Sequence, residues 1–347
     1  MAKIDKLFEI MMAKGGSDLH LEEGQKPKIR LNGVLVELDH PVLSESSLLE
    51  YLFEICGPNH WQRFKNTADV DFAYDMQGKA RFRSNYFRHS AGYGAIFRII
   101  PSEILTLEKL QAPEIFKSFA TLRAGLVLVT GPTGSGKSTT MAGIIDYINE
   151  NFSRKIVTIE EPVEFVHPKK NCLLIHREVG EDTQSFASGL KGAIRSDSDV
   201  VLVGEMRDRE TIELALTATE MGILVFGTLH TNSASKTIDR IVDVFPHNQK
   251  EQVRSQLSFA LRGIVSQQLL RSADGKRRWA AHEILIYTGP LPALVRSGDS
   301  TKLFSYIQTG KRAGMITMDD CLLQMIKEGK VTQEAAYMKA IDKTRFK

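Results

Sequence analysis

Apolar residues near the N-terminus follow first a helical and then a strand spacing. Four of them recur at intervals of three and four: Ile4, Leu7, Phe8 and Met11. This spacing predicts a short helix that ends at Gly15-Gly16. Asn32-Gly33 separates two apolar runs and is typical of a type I′ β-hairpin. Alternating residues at 69–74, 81–87 and 95–99 predict three further strands, which together indicate a small α+β domain.

Further along the chain, β-branched runs alternate with helical patterns, which is typical of a parallel α/β sheet. The apolar runs predict four strands, at 126–130, 156–159, 200–203 and 224–226. Helical spacings predict helices around 141–148, 212–216 and 253–265. From Pro290 onward the pattern predicts short helices without strands.

These elements divide the 347 residues into three structured regions. We expect an N-terminal α+β domain over 1–100, a linker over 101–112 that begins at Pro101, an α/β domain over 113–289 and a helical region over 290–347. The length alone predicts about two to three domains.

The first strand of the α/β domain is followed by a full match to the phosphate-binding pattern G-x-x-x-x-G-K-[ST]. The glycines let backbone N–H groups turn toward phosphate oxygens, and the helix that follows points its positive end at the same anion. Lys137 is expected on the β- and γ-phosphates and the Ser138 hydroxyl on Mg²⁺. The alternative is a glycine-rich turn without a ligand, and the strand and helix on either side argue against it. The expected nucleotide-binding residues are Gly131, Pro132, Thr133, Gly134, Ser135, Gly136, Lys137, Ser138 and Thr139.

Carboxylates follow two other predicted strands. Glu205 comes just after the strand at 200–203, at the carboxyl edge where open α/β sheets assemble their sites. We interpret Glu205 as the Walker B acid, which acts on the Mg²⁺ shell through water. The strand at 156–159 runs into Glu160, Glu161 and Glu164, and one of these is the candidate to polarise the attacking water. The alternatives are a plain surface glutamate at Glu205 and a solvated acidic loop after the strand at 156–159. Both are less favoured because parallel strands end at one edge of the sheet, so these carboxylates converge there.

His230 follows the strand at 224–226 and is a candidate sensor of the γ-phosphate, with a structural role as the alternative. The other eight histidines have no metal-binding spacing. The cysteines, Cys56, Cys172 and Cys321, form no C-x-x-C pair, so we expect neither a zinc site nor a disulfide framework. A reducing compartment is the simpler interpretation.

Charge and hydropathy exclude several classes of protein. With 45 Lys+Arg against 42 Asp+Glu, the net charge of +3 is too balanced for a protein that coats nucleic acid. The first residues mix both charge signs, unlike a secretory signal. No run approaches the roughly 18 apolar residues of a membrane span. We expect a cytoplasmic protein with no transmembrane segment and no nucleic-acid partner.

Four segments in order, 131–138, 158–167, 203–208 and 227–231, resemble the secretion ATPases of the type II/type IV pilus superfamily. The pattern is most similar to the PilT/PilU branch, the pilus retraction ATPases of twitching motility, which 15–21 and 314–319 also resemble. The resemblance implies a PAS-like N-terminal domain and a RecA-like ATPase domain that bind ATP and Mg²⁺ between them. It also implies a homohexameric ring that acts on an inner-membrane pilus platform protein, with a paralogous retraction ATPase as a further partner. We expect the ring to lie at the periphery of the inner membrane, on its cytoplasmic face.

The same resemblance implies roles for single residues. Glu164 is the catalytic glutamate, Glu205 the Walker B acid and His230 the His-box residue. Arg83 and Arg98, with Arg81, look like the arginines that the N-terminal domain turns toward the nucleotide, where they stabilise charge as arginine fingers do. Without the family they are outward positions on strands.

Two positions depart from the family pattern. Ile223 replaces the first histidine of the His box, and Pro290-Leu291-Pro292 replaces the Ala-Ile-Arg triplet of the retraction enzymes. The leading hypothesis is a motor for pilus retraction, that is, pilin disassembly. A pilus assembly or type II secretion ATPase is the second hypothesis, although such enzymes usually carry paired C-x-x-C ligands. An accessory ring subunit that binds ATP with little turnover is the third.

Overall fold

The computed structural model describes residues 2–31, 33–100 and 103–347. Asn32 of the predicted hairpin turn and Pro101 at the start of the predicted linker lie outside these residues. The chain forms two compact units that are discontinuous in sequence. The first consists of Met1–Ile104, Glu160–Val166 and His176–Ser185. The second consists of Leu105–Ile159, His167–Ile175 and Phe186–Lys347.

The first unit contains an antiparallel sheet of six strands in the order β3-β2-β1-β6-β5-β4. Its strands are β1 Asp18–Glu22, β2 Lys28–Leu31, β3 Val34–Glu37, β4 Asp69–Asp75, β5 Arg81–His89 and β6 Gly92–Ile100. Its helices are α1 Asp5–Ala13, α2 Glu45–Ile55 and α3 Pro58–Thr67. The structure confirms the predicted first helix and the three later strands. It also confirms the hairpin, in which Leu31 pairs with Val34. The patterns did not predict β1, α2 or α3.

Buried and more exposed side chains alternate along β5, so one face of the strand packs on the core and the other is polar. Phe82, Ser84 and Tyr86 are buried, whereas Arg83 between them is exposed. Phe8 of α1 stacks on Phe82 with ring centroids 4.0 Å apart, and a fully buried aromatic ring of this kind contributes about 1.5–3 kcal/mol. Successive side chains of a strand point to opposite faces. Arg83 therefore lies on the face opposite the core.

The second sheet has seven strands in the order β13-β12-β7-β11-β10-β8-β9. Its strands are β7 Gly125–Thr130, β8 Lys155–Glu160, β9 Leu173–Glu178, β10 Val200–Val203, β11 Leu224–Leu229, β12 Leu261–Arg271 and β13 Arg278–Ile286. The five strands from β12 to β8 in this order are parallel, and β13 pairs antiparallel with β12. The carboxyl ends of the five parallel strands therefore share one edge, as we predicted for the strands that the patterns identified.

The helices of the second unit are α4 Ile115–Thr121, α5 Lys137–Asn151, α6 Phe186–Arg195, α7 Arg209–Glu220, α8 Ala234–Asp243, α9 Lys250–Ala260, α10 Leu291–Ser297, α11 Ser300–Thr309, α12 Met318–Lys327 and α13 Gln333–Lys339. Short 3₁₀ turns occur at His247–Gln249, Gly310–Ala313 and Lys343–Phe346. Among the residues that the structure describes, no helix combines the length and the apolar character needed to cross a bilayer.

One prediction in this region is wrong. The helix expected around 253–265 ends at Ala260, and strand β12 begins at Leu261. Strand β12 lies between two other strands and is buried on both faces, so apolar and polar residues do not alternate along it. For this reason its apolar residues Leu261, Ile264 and Val265 also fit a helical spacing. Strands β9 and β13 were likewise not predicted.

Candidate active site

The phosphate-binding motif forms the turn between β7 and α5. Strand β7 is buried along its whole length, and Gly136 ends the loop in the left-handed conformation, with φ of 85°. Lys137 is the first residue of α5 and is buried. Its Nζ donates hydrogen bonds to the carbonyl oxygens of Gly131 at 2.9 Å and Pro132 at 3.2 Å. The ammonium group thus lies inside the loop, where phosphate oxygens can replace these two carbonyls.

Two glycines of the motif let the loop lie directly against β12. A Cβ atom on Gly131 would be 2.3 Å from the carbonyl oxygen of Gln267, and one on Gly136 would be 2.9 Å from the side-chain nitrogen of Gln267. Any larger residue would therefore push the loop away from the strand. Both glycines also have positive φ, which L-residues rarely adopt.

Glu205 follows β10 and is held by two neighbours. Arg207 donates from Nη2 to Glu205 Oε2 at 2.6 Å, and Nε2 of His230 is 3.3 Å from Glu205 Oε1. Burial raises the pKa of Glu205, but the hydrogen bond and charge of Arg207, together with His230, outweigh burial and hold the pKa below its ordinary value. The carboxylate is therefore charged at neutral pH. Arg207 was not among the predicted site residues, although it lies two residues from Glu205.

His230 connects Glu205 to the phosphate-binding loop. Its Nδ1 atom is 3.5 Å from the Thr133 hydroxyl, while Nε2 faces Glu205. The segments that carry the two residues are also joined, because the Thr228 hydroxyl donates to the Gly204 carbonyl at 2.5 Å. The structure therefore brings the loop, Glu205 and His230 together in the second unit.

Glu164 lies in the first unit, beside Arg83. The distance from Arg83 Nη1 to Glu164 Oε1 is 3.8 Å. The segment that carries Glu164 is held by Glu178, whose carboxylate accepts hydrogen bonds from Val163 N at 3.1 Å and Ala73 N at 3.3 Å. Burial raises the pKa of Glu178. Because Ala73 of β4 is the cross-strand partner of Arg83, Glu178 fixes the acidic segment next to that arginine.

Arg98 is fixed by Asp18, its cross-strand partner on β1. Arg98 Nε donates to Asp18 Oδ1 at 2.7 Å. Burial raises the pKa of Asp18, but hydrogen bonds from Ser17 and Arg98 hold it below its ordinary value. Arg98 also pairs across the strands with Arg83, so both guanidinium groups belong to the same polar face.

The predicted catalytic residues therefore form two groups, one in each unit. Sequence reasoning missed two residues that hold the group of the first unit, Asp18 and Glu178. Asp18 lies within the segment 15–21 that the resemblance had singled out, so a signal was present. Glu178 gave none, because its hydrogen-bond partners are distant in sequence.

The oxygen atoms of the second group suit Mg²⁺, a hard cation that prefers carboxylate, hydroxyl and phosphate oxygens. Ser138 is exposed at the start of α5, and Glu205 supplies a charged carboxylate. Over the described ranges 2–31, 33–100 and 103–347, no group of three or more His, Cys, Asp or Glu side chains could hold a metal ion. A hydroxyl and one charged carboxylate are donors that Mg²⁺ accepts alongside phosphate oxygens and water.

Known proteins share this architecture. The family described as type II/IV secretion system protein matches residues 1–333. The chain belongs to this family. The type IV pilus retraction ATPase PilT of Pseudomonas aeruginosa is 47% identical to this chain over 337 residues, which cover 97% of this chain and 98% of PilT. The type IV pilus ATPase PilU of the same organism is 37% identical over 334 residues, which cover 96% and 87%.

A solved structure also matches over nearly the whole chain. The crystal structure of the pilus retraction motor PilT with bound ADP has a TM-score of 0.90 at 43% identity and covers 99% of each chain. This match confirms the predicted fold class, a small N-terminal α+β domain followed by a RecA-like ATPase domain. It also identifies the family branch that the four motifs resemble.

Proposed function

We propose that this protein is a type IV pilus retraction ATPase, a homohexameric motor that couples ATP hydrolysis to pilin disassembly and so to twitching motility. The observation that carries the proposal is the joined set of the phosphate-binding loop, His230 and Glu205, with the Lys137 ammonium group inside the loop. The similarity to PilT along nearly the whole chain supports the pilus role.

The chemistry needs residues of both groups. Lys137 binds the β- and γ-phosphates, and the Ser138 hydroxyl and Glu205, the latter through water, would hold Mg²⁺. When bound, Mg²⁺ neutralises phosphate charge. Glu164 orients the attacking water and accepts its proton. Arg83 and Arg98 stabilise the negative charge that develops on the transferred phosphoryl group.

The proposed assembly follows from the same role. The ring acts at the cytoplasmic face of the inner membrane, on a pilus platform protein. A paralogous retraction ATPase is the further partner that we propose, and P. aeruginosa has both PilT and the type IV pilus ATPase PilU. The domain limits 1–100, 101–112, 113–289 and 290–347 remain our proposal for how the functional parts are divided.

A second candidate is an accessory ring subunit with low turnover, which the departure at Ile223 favours. Ile223 is 6% exposed and precedes β11, and its hydrocarbon side chain can only pack, whereas an imidazole at this position could donate a hydrogen bond. A pilus assembly or secretion ATPase is a weaker candidate, because none of the three cysteines belongs to a C-x-x-C pair.

Hydrolysis of Mg-ATP by the purified full chain tests the chemistry. We expect Lys137→Ala to lose both nucleotide affinity and turnover, because the loop then has no cation. We expect Glu164→Gln to bind ATP normally but to turn over about 10²–10⁴-fold more slowly, as for the loss of a general base. Glu161→Gln, in the same acidic segment, is the matched comparison, and we expect it to keep the parent rate if Glu164 is the base. If Glu164→Gln hydrolyses ATP at nearly the parent rate, the base is Glu160, Glu161 or Glu205.

A deletion strain tests the cellular role. We expect cells without this protein to carry more pili and to lose twitching, and the parent gene to restore both properties. Restoration by the Lys137→Ala variant, which we expect to lose nucleotide binding, would contradict a role as motor. A deletion strain that lacks pili altogether would instead assign the chain to pilus assembly.

A further inference from the structure

Gln267 of β12 is a polar side chain buried directly behind the phosphate-binding loop. It is 2% exposed, and all its hydrogen bonds stay within the second unit. Its Nε2 atom donates to the Ser135 carbonyl at 2.7 Å, and its Oε1 atom accepts from the Thr140 hydroxyl at 2.8 Å. A buried amide is costly unless it is hydrogen-bonded, so three satisfied contacts at such a position indicate a specific task.

The third contact completes the hydrogen bonding of the amide. His282, the cross-strand partner of Gln267 on β13, lies with Nε2 3.2 Å from Gln267 Oε1. Burial lowers the pKa of His282 to about 4, so the ring is neutral at physiological pH and its single N–H can donate to this oxygen. The Ser135 carbonyl can only accept a hydrogen bond, so the NH₂ group of Gln267 faces it. Oε1 then accepts from the Thr140 hydroxyl and from His282 in the tautomer that carries its proton on Nε2.

This orientation determines a peptide plane of the loop. In a trans peptide, the carbonyl of one residue and the N–H of the next point in opposite directions. Because the Ser135 carbonyl points at Gln267, the Gly136 N–H points away from β12. Backbone N–H groups of such loops are the donors that surround phosphate oxygens. Thr140 lies in the first turn of α5, so the same amide also fixes the helix N-terminus relative to the loop.

We propose that Gln267 is a positioning residue of the nucleotide site, which holds the Ser135–Gly136 peptide and the first turn of α5 in the phosphate-binding arrangement. This proposal rests on the proposed ATPase function. His282 acts one step further out, through its contact with Gln267 Oε1.

The test is ADP binding by the purified full chain, measured by calorimetric titration. In Gln267→Leu the Ser135 carbonyl loses its donor, and in Gln267→Glu it faces a carboxylate. We expect both variants to bind ADP about tenfold or more weakly, since a lost buried hydrogen bond leaves its partner unsatisfied. Gln268→Glu is the matched control, because the next residue of a strand points to the opposite face. We expect its affinity to stay within about twofold of the parent, far below a tenfold step.

A second pair of variants covers the case in which Gln267 substitutions fail to fold. Thr140→Val keeps the shape of threonine but removes the hydroxyl that Gln267 accepts from, whereas Thr140→Ser keeps the hydroxyl. We expect Thr140→Val to weaken ADP binding severalfold and Thr140→Ser to bind ADP about as tightly as the parent. The unfolding midpoints of the two variants in the absence of nucleotide should be similar. A purely structural role would lower the unfolding midpoint and leave the affinity of the folded protein unchanged.

The outcomes separate the two proposals. If the parent chain does not bind ADP, the proposed function fails. If the parent binds ADP but Thr140→Val and every folded Gln267 variant bind it as tightly as the parent, Gln267 does not position the loop and this inference is overturned.

Discussion

Replacing His230 with alanine removes a side chain that contacts both Glu205 and Thr133. The structure predicts a small effect on stability. The imidazole is 44% exposed, and exposed ion pairs and hydrogen bonds of this kind contribute about 0.2–1 kcal/mol each. We therefore expect the free energy of unfolding of His230→Ala to fall by about 1 kcal/mol or less.

The effect on turnover should be larger. If His230 transmits the state of the γ-phosphate to Glu205, the loss of His230 removes an interaction made during the reaction. Each tenfold drop in rate corresponds to about 1.4 kcal/mol of activation free energy. We expect the rate of Mg-ATP hydrolysis to fall about tenfold or more. No second His-box histidine can share the role, because Ile223 occupies the first position.

The assay compares hydrolysis rate and urea unfolding for the parent, His230→Ala and His247→Ala. His247 is an exposed histidine in the 3₁₀ turn before α9 and serves as the matched control. A fall in rate without a fall in stability, and in His230→Ala alone, is the expected result. If His230→Ala keeps more than about half of the parent rate, a negligible change on the scale of barriers, then His230 is a packing residue and the reasoning fails.

Three further variants test neighbouring contacts. Because Ile223 is buried, Ile223→His should lower the free energy of unfolding by about 1–3 kcal/mol, and urea denaturation that shows no loss would contradict its burial. Hydrogen bonds hold the pKa of Asp18 below its ordinary value of 3.8, so Asp18 stabilises the fold above that pH and less as the pH falls through the folded pKa. Asp18→Asn should therefore be less stable than the parent at pH 7, with a difference that shrinks in acid, and its ATPase rate should fall because Arg98 loses the carboxylate that positions it; a stability difference independent of pH would refute this account. Arg207→Ala removes the main cause that lowers the pKa of Glu205, so the acid limb of kcat/KM should move to higher pH; an unmoved limb belongs to another group.

The sequence predicted the parts of the fold whose signals are local. Asn32-Gly33 identified the hairpin of β2 and β3, and the motif before Lys137 identified the junction of β7 and α5. Strand β12 was missed because a central strand has no polar face, and its apolar residues then match either period. The same ambiguity hid Gln267, which is a polar residue within a run interpreted partly as helix.

The arrangement of the site depended on contacts that no local pattern contains. Parallel strand ends predicted that Glu205 and His230 would lie near the loop, because neighbouring strands share an edge. Glu164 follows the same kind of strand, yet it packs with Arg83, 81 positions earlier in the sequence. That packing depends on hydrogen bonds between Glu178 and the backbone of Val163 and Ala73, which are set by tertiary structure alone.

The discontinuous units limit how this protein can be cut or recombined. The chain passes from one unit to the other at 104/105, 159/160, 166/167, 175/176 and 185/186. A fragment that starts near residue 113 would keep Glu178 but lack β4, so the buried carboxylate would lose the Ala73 N–H and the segment that carries Glu164 would lose its attachment. A chimera with a relative, made by a single crossover between 105 and 160, would join this segment to a foreign strand. Engineered exchanges should therefore transfer residues 1–104, 160–166 and 176–185 together.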